Sequence, residues 1–451
     1  MATDITKLNK DTKIKYIDNN MLGSPTLGLT RGDLVKLLKT VLVDGFNSKI
    51  ASTVTPEILG NIVTITFPAG HGFVFNQVIK ISGANEINFN GEYRVLQLDA
   101  ISIKIITKTS FSSITGTVTV SAAPLGFSLV YNDITNTGTA CFKNTSTKTP
   151  GVLKIIDALP PNGYDANWSR FARVVAGQQI DSSGEFINNE KFPYHSSYPF
   201  SEKTGNGVSG ATGIHSLCRW DYGLRPYNGN NYWADNIAVS SYPYGTFPTN
   251  WRIIGDSNTF YLFIQSMGRD YSGYNICSFG TYIPTNLSAS DNLYLIGGDG
   301  WISSDNQYPY VTQTARRNSF SYFGGDSDSF GLFLFKNVDQ NVQHYLEFMP
   351  VALYFSESNR QWPYKSLVKG LDFTTGNLLT SPVYLKDTNQ DFRGQLRGIQ
   401  QFYGSGQLSN NLLLDNNNSI VLSTKLFEWS TTSSNSEQVP YLFSFKDWEE
   451  V

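Results

Sequence analysis

Val63-Thr64-Ile65-Thr66-Phe67 alternates apolar and polar side chains with a period of two, which is the pattern of a β-strand with one buried face. Further short runs of strand-forming residues follow it at 78–81, 93–96, 101–105 and 117–120. Turn-forming residues separate these runs at short intervals, because Gly, Pro, Asn and Ser favour tight turns. Residues 49–122 are therefore predicted to form a small β-barrel-like module.

The segment before this module carries the best helical signal in the chain. The i, i+3, i+4, i+7, i+8 spacing of one buried helix face is followed by Leu34, Leu37, Leu38, Val41 and Leu42. Thr30 can cap the N-terminus, and Gly45 is a plausible end. We predict a docking helix within residues 30–48. Its apolar face must pack on another surface, either the following module or a neighbouring subunit, with Leu34, Leu37, Leu38 and Val41 as candidate interface residues.

Residues 1–29 are polar and lack the periodicity of a helix or a strand. Gly23-Ser24-Pro25 interrupts any regular element there. We predict an extended N-terminal arm, which is either a disordered terminus or a segment that docks on a neighbouring subunit.

Residues 123–451 are predicted to form a large β-rich, β-sandwich-like domain with long loops, so that the chain as a whole is mainly β. Good strand candidates occur at 153–156, 259–264, 292–296 and 330–335. Residues 179–250 are rich in Gly, Ser, Asn, Pro and Tyr and show little periodicity. Loops of that length are usually functional or form interfaces.

The amino-acid composition argues against two kinds of partner for this chain, nucleic acids and membranes. Charged residues make up 16% and aromatic residues 14% of the 451 residues, and the formal net charge is −3. The charged fraction is well below the roughly 25% of a typical soluble domain. Because nucleic-acid binding relies on clustered Lys and Arg, we expect no nucleic-acid partner. No apolar run reaches the roughly 18 residues of a membrane span, so we expect no membrane insertion.

No catalytic or metal-binding pattern stands out. The three cysteines, Cys141, Cys218 and Cys277, lack metal-ligand spacing and are expected to be buried thiols. His71 lies between two glycines, where we expect a tight turn with the imidazole bonded to backbone. No Gly-x-Ser-x-Gly or phosphate-binding loop occurs. We therefore predict no enzyme activity, no cofactor and no metal.

Two groups of residues are candidates for contacts outside the chain. Tyr227, Tyr232, Trp233 and Tyr242 are clustered within the long loop region, where aromatic rings could stack on a host-surface glycan, pack on their own domain or line an interface. Arg393 and Arg397 each precede a glycine. They are candidate subunit-interface residues, with a solvated basic turn as the alternative.

The block Leu42-Val43-Asp44-Gly45-Phe46-Asn47, with the helix before it, is similar to the start of a family of virion structural proteins of tailed bacteriophages and prophages. The module after it resembles an FCCH-like domain, a β-domain first named in ubiquitin-activating enzymes, through residues 63–67, 70–73, 78–84 and 89–95. Residues 258–263, 277–282 and 291–298 look like core strands of the same family, and 393–398 resembles its C-terminal signature. The resemblance implies a particle component built from β-domains and no ubiquitin chemistry.

We therefore expect a structural component of a tailed-phage virion, made in the bacterial host cytoplasm and carried in the particle. It would assemble through its arm, helix and β-domains with other virion proteins and copies of itself, in the tail or baseplate. The alternatives are a head decoration protein, a receptor- or glycan-binding module of the adsorption apparatus, and a polysaccharide-degrading tail enzyme.

Overall fold

A computed structural model describes residues 8, 10–57, 61–159, 171–192, 218–222, 227–228, 232–233, 249–265, 274–285, 292–299, 332–335, 380–386, 392–402, 412–414, 420–426, 439–444 and 448. These residues are mainly β, which confirms the predicted fold class. The helical elements are α1 (Asp33–Lys39), which a π turn (Thr40–Asp44) continues, α2 (Ile134–Thr137), and 3-10 turns at Ile87–Phe89 and Ile187–Asn189.

The described strands extend from residue 15 to residue 444. Up to residue 133 they are β1 (Lys15–Asp18), β2 (Phe46–Ile50), β3 (Thr53–Pro56), β4 (Ile62–Thr66), β5 (Val78–Ala84), β6 (Gly91–Arg94), β7 (Gln97–Leu98), β8 (Ser102–Ile106), β9 (Gly116–Ala122) and β10 (Ser128–Asp133). Then follow β11 (Thr139–Lys143), β12 (Val152–Ile156), β13 (Phe171–Gly177), β14 (Lys191–Phe192), β15 (Cys218–Asp221), β16 (Tyr227–Asn228), β17 (Tyr232–Trp233), β18 (Trp251–Gly255), β19 (Phe260–Gln265) and β20 (Tyr274–Thr281). The last are β21 (Ile283–Pro284), β22 (Leu293–Ile296), β23 (Gly298–Asp299), β24 (Leu332–Leu334), β25 (Thr380–Lys386), β26 (Phe392–Phe402), β27 (Leu412–Leu414), β28 (Ile420–Leu426) and β29 (Val439–Ser444).

The small module consists of two four-stranded sheets, ordered β2-β9-β5-β6 and β3-β4-β8-β7. Two segments pass from one sheet into the other. At the first corner, the Ala51 N–H donates to Val118 O and the Ser52 N–H to Thr66 O. At the second, the Val95 N–H donates to Gln77 O and the Leu96 N–H to Lys104 O. These two segments therefore belong to both sheets, which gives the module a barrel-like form.

The apolar side chains of the alternating pattern fill the inside of the module. Val63 and Ile65 of β4 face the same core as Ile103 and Ile105 of β8, and all four are fully buried. The intervening Thr64 and Thr66 are only partly buried. Because successive side chains of a strand point to opposite faces, the core of the module follows directly from the period-two pattern.

The large domain is built on two sheets. A seven-stranded sheet runs β10-β11-β12-β13-β15-β23, with β14 beside β13. A twelve-stranded sheet runs β1-β18-β19-β20-β28-β29-β26-β21, with β22, β24, β25 and β27 paired beside this path. One apolar core contains side chains from both sheets, including Leu153, Val174, Phe260 and Leu262. The two sheets therefore share one core, as in a β-sandwich.

Helix α1 and its π turn occupy most of the predicted helical stretch and end at Gly45. Two carbonyls of the π turn accept hydrogen bonds from the segment between β9 and β10. The Leu125 N–H donates to Val41 O at 2.9 Å and the Phe127 N–H to Leu42 O at 3.0 Å. Gly45 has φ +78°, and a Cβ on it would lie 2.5 Å from Ala122 O. Only glycine fits a backbone conformation of this kind without strain.

Replacing Gly45 with alanine should lower the free energy of unfolding by about 3 kcal/mol, because the new methyl group meets backbone and the positive φ adds strain. Chemical denaturation of the purified chain measures this change. Gly70→Ala is the matched control, since its Cβ would lie 3.7 Å from Ala100 O, an ordinary contact. Equal losses in both variants would contradict the steric argument.

Candidate functional site

The N-terminal segment is bound to its own chain. Strand β1 pairs antiparallel with β18, from Lys15 opposite Gly255 to Asp18 opposite Arg252. Farther along, the Trp251 indole N–H donates to Pro25 O at 3.0 Å, and Leu27 pairs with Thr249 as an isolated bridge. The described part of the predicted arm is thus an edge strand of the large sheet and not a free extension toward a neighbour.

Arg94, at the end of β6 in the module, holds the same segment from the other side. Its guanidinium donates to Asp11 O (Nε, 2.8 Å, and Nη2), to Ile14 O at 3.0 Å and to Asn76 O at 2.7 Å. Arg94 is 3% exposed. Burial lowers its pKa to about 10, which the nearby Asp11 carboxylate partly opposes. The cation remains charged at neutral pH and links the N-terminal segment to the module.

An ion pair supports this link. The Lys15 ammonium lies 2.8 Å from a carboxylate oxygen of Glu92 in β6, and the two side chains are 6% and 32% exposed. Lys15 also belongs to β1 of the large sheet. Through Arg94 and Lys15, residues 11–18 therefore act as a strap, by which we mean a segment bonded both to the module and to the large domain.

The four candidate interface residues of the helix lie inside the chain. Leu34, Leu37, Leu38 and Val41 are each 0% exposed and belong to the core of the large domain. The core of the β-module contains none of them. Their full burial contradicts the expected contact with a neighbouring subunit. The core that covers this face includes Phe46 of β2 and Ala122 of β9 as well as residues of the large domain. An apolar stripe shows that a face is buried without showing which surface buries it.

A carboxylate directly after the distant strand β12 caps this helix. The Leu34 and Val35 N–H groups donate to Asp157 Oδ2 at 3.0 and 3.3 Å, and the Tyr222 hydroxyl donates to Oδ1 at 2.6 Å. Burial raises the pKa of Asp157 to about 7 against these hydrogen bonds, which lower it. The residue at the N-cap position is Gly32, with φ +92°, so the predicted cap, Thr30, lies two residues before it. The Thr30 N–H donates to Asp33 Oδ2 at 3.1 Å.

Tyr222 joins the helix to the seven-stranded sheet. It directly follows β15 and is 1% exposed. Burial, and then the Asp157 carboxylate, raise the pKa of its phenol far above the ordinary value. Its carbonyl accepts the Thr249 hydroxyl at 2.9 Å. Tyr222 therefore stays protonated and is a buried structural donor.

The two candidate interface arginines, Arg393 and Arg397, differ in how deeply they are buried. Both residues lie within strand β26 and not in a turn. Arg397 is 3% exposed, and its carbonyl accepts the hydroxyl of Tyr261 at 2.8 Å. Its predicted place at a subunit interface is therefore wrong, because the side chain is enclosed by its own domain. Arg393 is half-buried, and its carbonyl accepts the Thr285 N–H at 3.0 Å.

The candidate aromatic residues are only partly covered by the structure. Strands β16 and β17 pair antiparallel, with Tyr227 opposite Trp233 and Asn228 opposite Tyr232. Tyr242 lies outside the described residues. Their contact with glycan or another subunit stays a prediction.

His71 fixes two loops at one end of the module. Its Nδ1 accepts the Phe73 N–H at 2.9 Å, so the proton is assigned to Nε2, which donates to Asp99 O at 2.8 Å. His71 is 2% exposed. The predicted imidazole–backbone contacts are confirmed, and His71 ties residues 71–73 to the turn at 99–101.

Apolar side chains are exposed around this end of the module. They are Leu22 (53% exposed), Val74 (38%), Phe75 (39%), Leu98 (39%) and Ile101 (48%). A Cβ on Gly72 would touch the side chain of Leu22, and the Ile101 carbonyl accepts the Phe67 N–H at 2.8 Å. We call these five residues the module tip. All five lie in, next to or against the two loops that His71 joins, and exposed apolar side chains that form one patch are typical of interaction surfaces.

The three cysteines are buried free thiols, as predicted. Burial raises the pKa of Cys141 to about 12. Within the described ranges, no three His, Cys, Asp or Glu side chains are grouped so that they could hold a metal ion. No helix in that same part of the chain has the length and apolar character needed to cross a membrane.

Neither the models of known protein families nor the curated proteins contain a match to this chain.

Proposed function

We propose that the chain is a structural component of a tailed-phage virion, which assembles through its β-domains with other virion proteins and copies of itself. Its place would be the tail or baseplate, after synthesis in the host cytoplasm. The resemblance of residues 30–47 and of the module to virion proteins supports this proposal, and the mainly β fold is compatible with it.

The observation that carries the assembly role is the module tip. Phe75 and Ile101 are 39% and 48% exposed at an end of the barrel where two loops are fixed by His71. Apolar side chains carried by loops whose backbone is held in place favour association, because less conformational entropy is lost when a partner covers them. The described part of the arm and the apolar face of the helix bind to other parts of the same chain. We therefore assign to the module tip the contact with neighbouring subunits that we had predicted for them.

The location is tested by immunogold labelling of purified particles with antibody against the recombinant chain. Label at the tail or baseplate is the expected result. Label spread over the head would favour a decoration protein, and no label on intact or disrupted particles would remove the virion proposal.

The tip is tested by replacing both Phe75 and Ile101 with asparagine. Incorporation of the protein into particles should fall at least tenfold while the purified chain keeps its melting temperature, because these side chains contribute little to its own core. Particle content is measured by quantitative immunoblot.

Ile87→Asn is the matched control. Ile87 is 80% exposed and follows β5 at its far end, away from residues 74–75, which precede that strand. Normal incorporation of the tip variant, or equal loss in the control, would contradict the proposed role of the tip. Normal assembly with lost adsorption to the host would instead favour receptor binding.

A further inference from the structure

The junction of helix α1, Asp157 and Tyr222 has hydrogen-bond partners for two protonation states. With Asp157 ionised, its two oxygens accept the Leu34 and Val35 N–H groups and the Tyr222 hydroxyl. The Tyr222 hydroxyl oxygen also lies 3.4 Å from Thr30 O. If Asp157 binds a proton, its new O–H can donate to the Tyr222 oxygen, and the tyrosine proton can turn to Thr30 O.

We propose that Asp157 and Tyr222 form a proton-responsive latch that holds helix α1 and the preceding residues on the large domain more tightly when Asp157 is protonated. The proton binds to a carboxylate oxygen, the Asp157–Tyr222 hydrogen bond reverses its direction, and the Tyr222 hydroxyl then donates to Thr30 O alone; no other covalent bond is made or broken. Oδ2 keeps the two helix N–H donors in both states.

The burial of Asp157 decides which of its two protonation states stabilises the folded chain. Asp157 is 1% exposed, and an ionised carboxylate in such surroundings loses its hydration. This loss raises its pKa from 3.8 to about 7. Between these two values the folded chain holds a proton that the unfolded chain has released, so folding is favoured by acid there. The stabilisation is complete below the lower value and is lost as the pH rises through the upper one.

Charged groups on the helix side also act on this pair. Arg31 lowers and Asp33 raises the pKa of Tyr222 through their charges. The Asp33 carboxylate accepts the Thr30 N–H and therefore helps to position the Thr30 carbonyl.

The latch is tested by urea unfolding of the full chain at intervals between pH 5 and pH 8.5, in the wild type and in Asp157→Asn. Asparagine can accept the helix N–H groups and donate to Tyr222, but it does not titrate. For the wild type, the ratio of folded to unfolded chain should fall about tenfold per pH unit between pH 5 and pH 7 from this group. The variant should lack that contribution, and an unchanged profile in it would overturn the proposal.

Tyr222→Phe gives a second readout that does not depend on the asparagine variant folding. Its hydroxyl favours the ionised carboxylate, so its removal should move the pH at which Asp157 titrates upward. The infrared band of the protonated carboxylic acid, followed in chain labelled with ¹³C-aspartate, reports that titration directly. A band that is absent from the wild type at pH 5.5, or a midpoint that moves downward in Tyr222→Phe, would contradict the latch. Neither measurement depends on the proposed virion role.

Discussion

Replacing Leu38 with alanine should lower the free energy of unfolding of the isolated chain by about 3 kcal/mol. Leu38 is 0% exposed within the core of the large domain, and truncating a buried leucine costs transfer free energy and leaves a cavity. The measurement is urea or thermal unfolding of the purified, monomeric chain. A residue used only at a subunit interface would leave this stability almost unchanged.

Lys36→Ala is the matched control on the same helix, because its side chain is 63% exposed and alanine is a good helix former. Its stability should stay within about 0.5 kcal/mol of the wild type. If Leu38→Ala were equally harmless to the isolated chain but prevented assembly, the helix face would be a subunit interface after all.

Replacing Arg94 with alanine should cost a similar amount, about 3 kcal/mol, through a different mechanism. The change removes the guanidinium donors to the carbonyls of Asp11, Ile14 and Asn76 at a site where Arg94 is 3% exposed. Each buried carbonyl that loses its donor lowers the free energy of unfolding by about 1–3 kcal/mol, and a water molecule that binds the carbonyl would reduce this loss. The loss should also loosen the strap, so that amide protons of residues 11–18 exchange faster with solvent than in the wild type.

Two controls separate geometry from charge. Arg94→Lys keeps the charge but replaces the planar fork with one ammonium group, and it should recover only part of the lost stability. Lys80→Ala removes an exposed positive charge from the neighbouring strand β5, opposite Glu92, and should have little effect. Full rescue by lysine would show that Arg94 acts as a charge alone, and unchanged exchange at residues 11–18 would contradict the strap.

The candidate sites show the limits of interpreting residues by type. Arginine side chains are usually exposed, and this tendency led us to predict that Arg397 lies at a subunit interface. In the structure, however, Arg397 belongs to strand β26 and its side chain is buried. Asp157 gives no signal in the sequence, since its role depends on a helix that begins more than a hundred residues earlier. It directly follows the buried strand β12, and a charge in that position does not indicate what it binds.

Local sequence patterns were enough to predict the mainly β character, the inward face of strands such as β4, the apolar face of helix α1 and its end at Gly45. These features depend on the geometry of a few neighbouring residues, which repeats along the chain. Three features became known only from the folded chain: which surface covers that helix, where residues 11–18 bind, and which carboxylate caps the helix. Those outcomes depend on contacts between segments far apart in the chain, such as Lys15 with Gly255, and no local pattern of side chains encodes the identity of a distant partner.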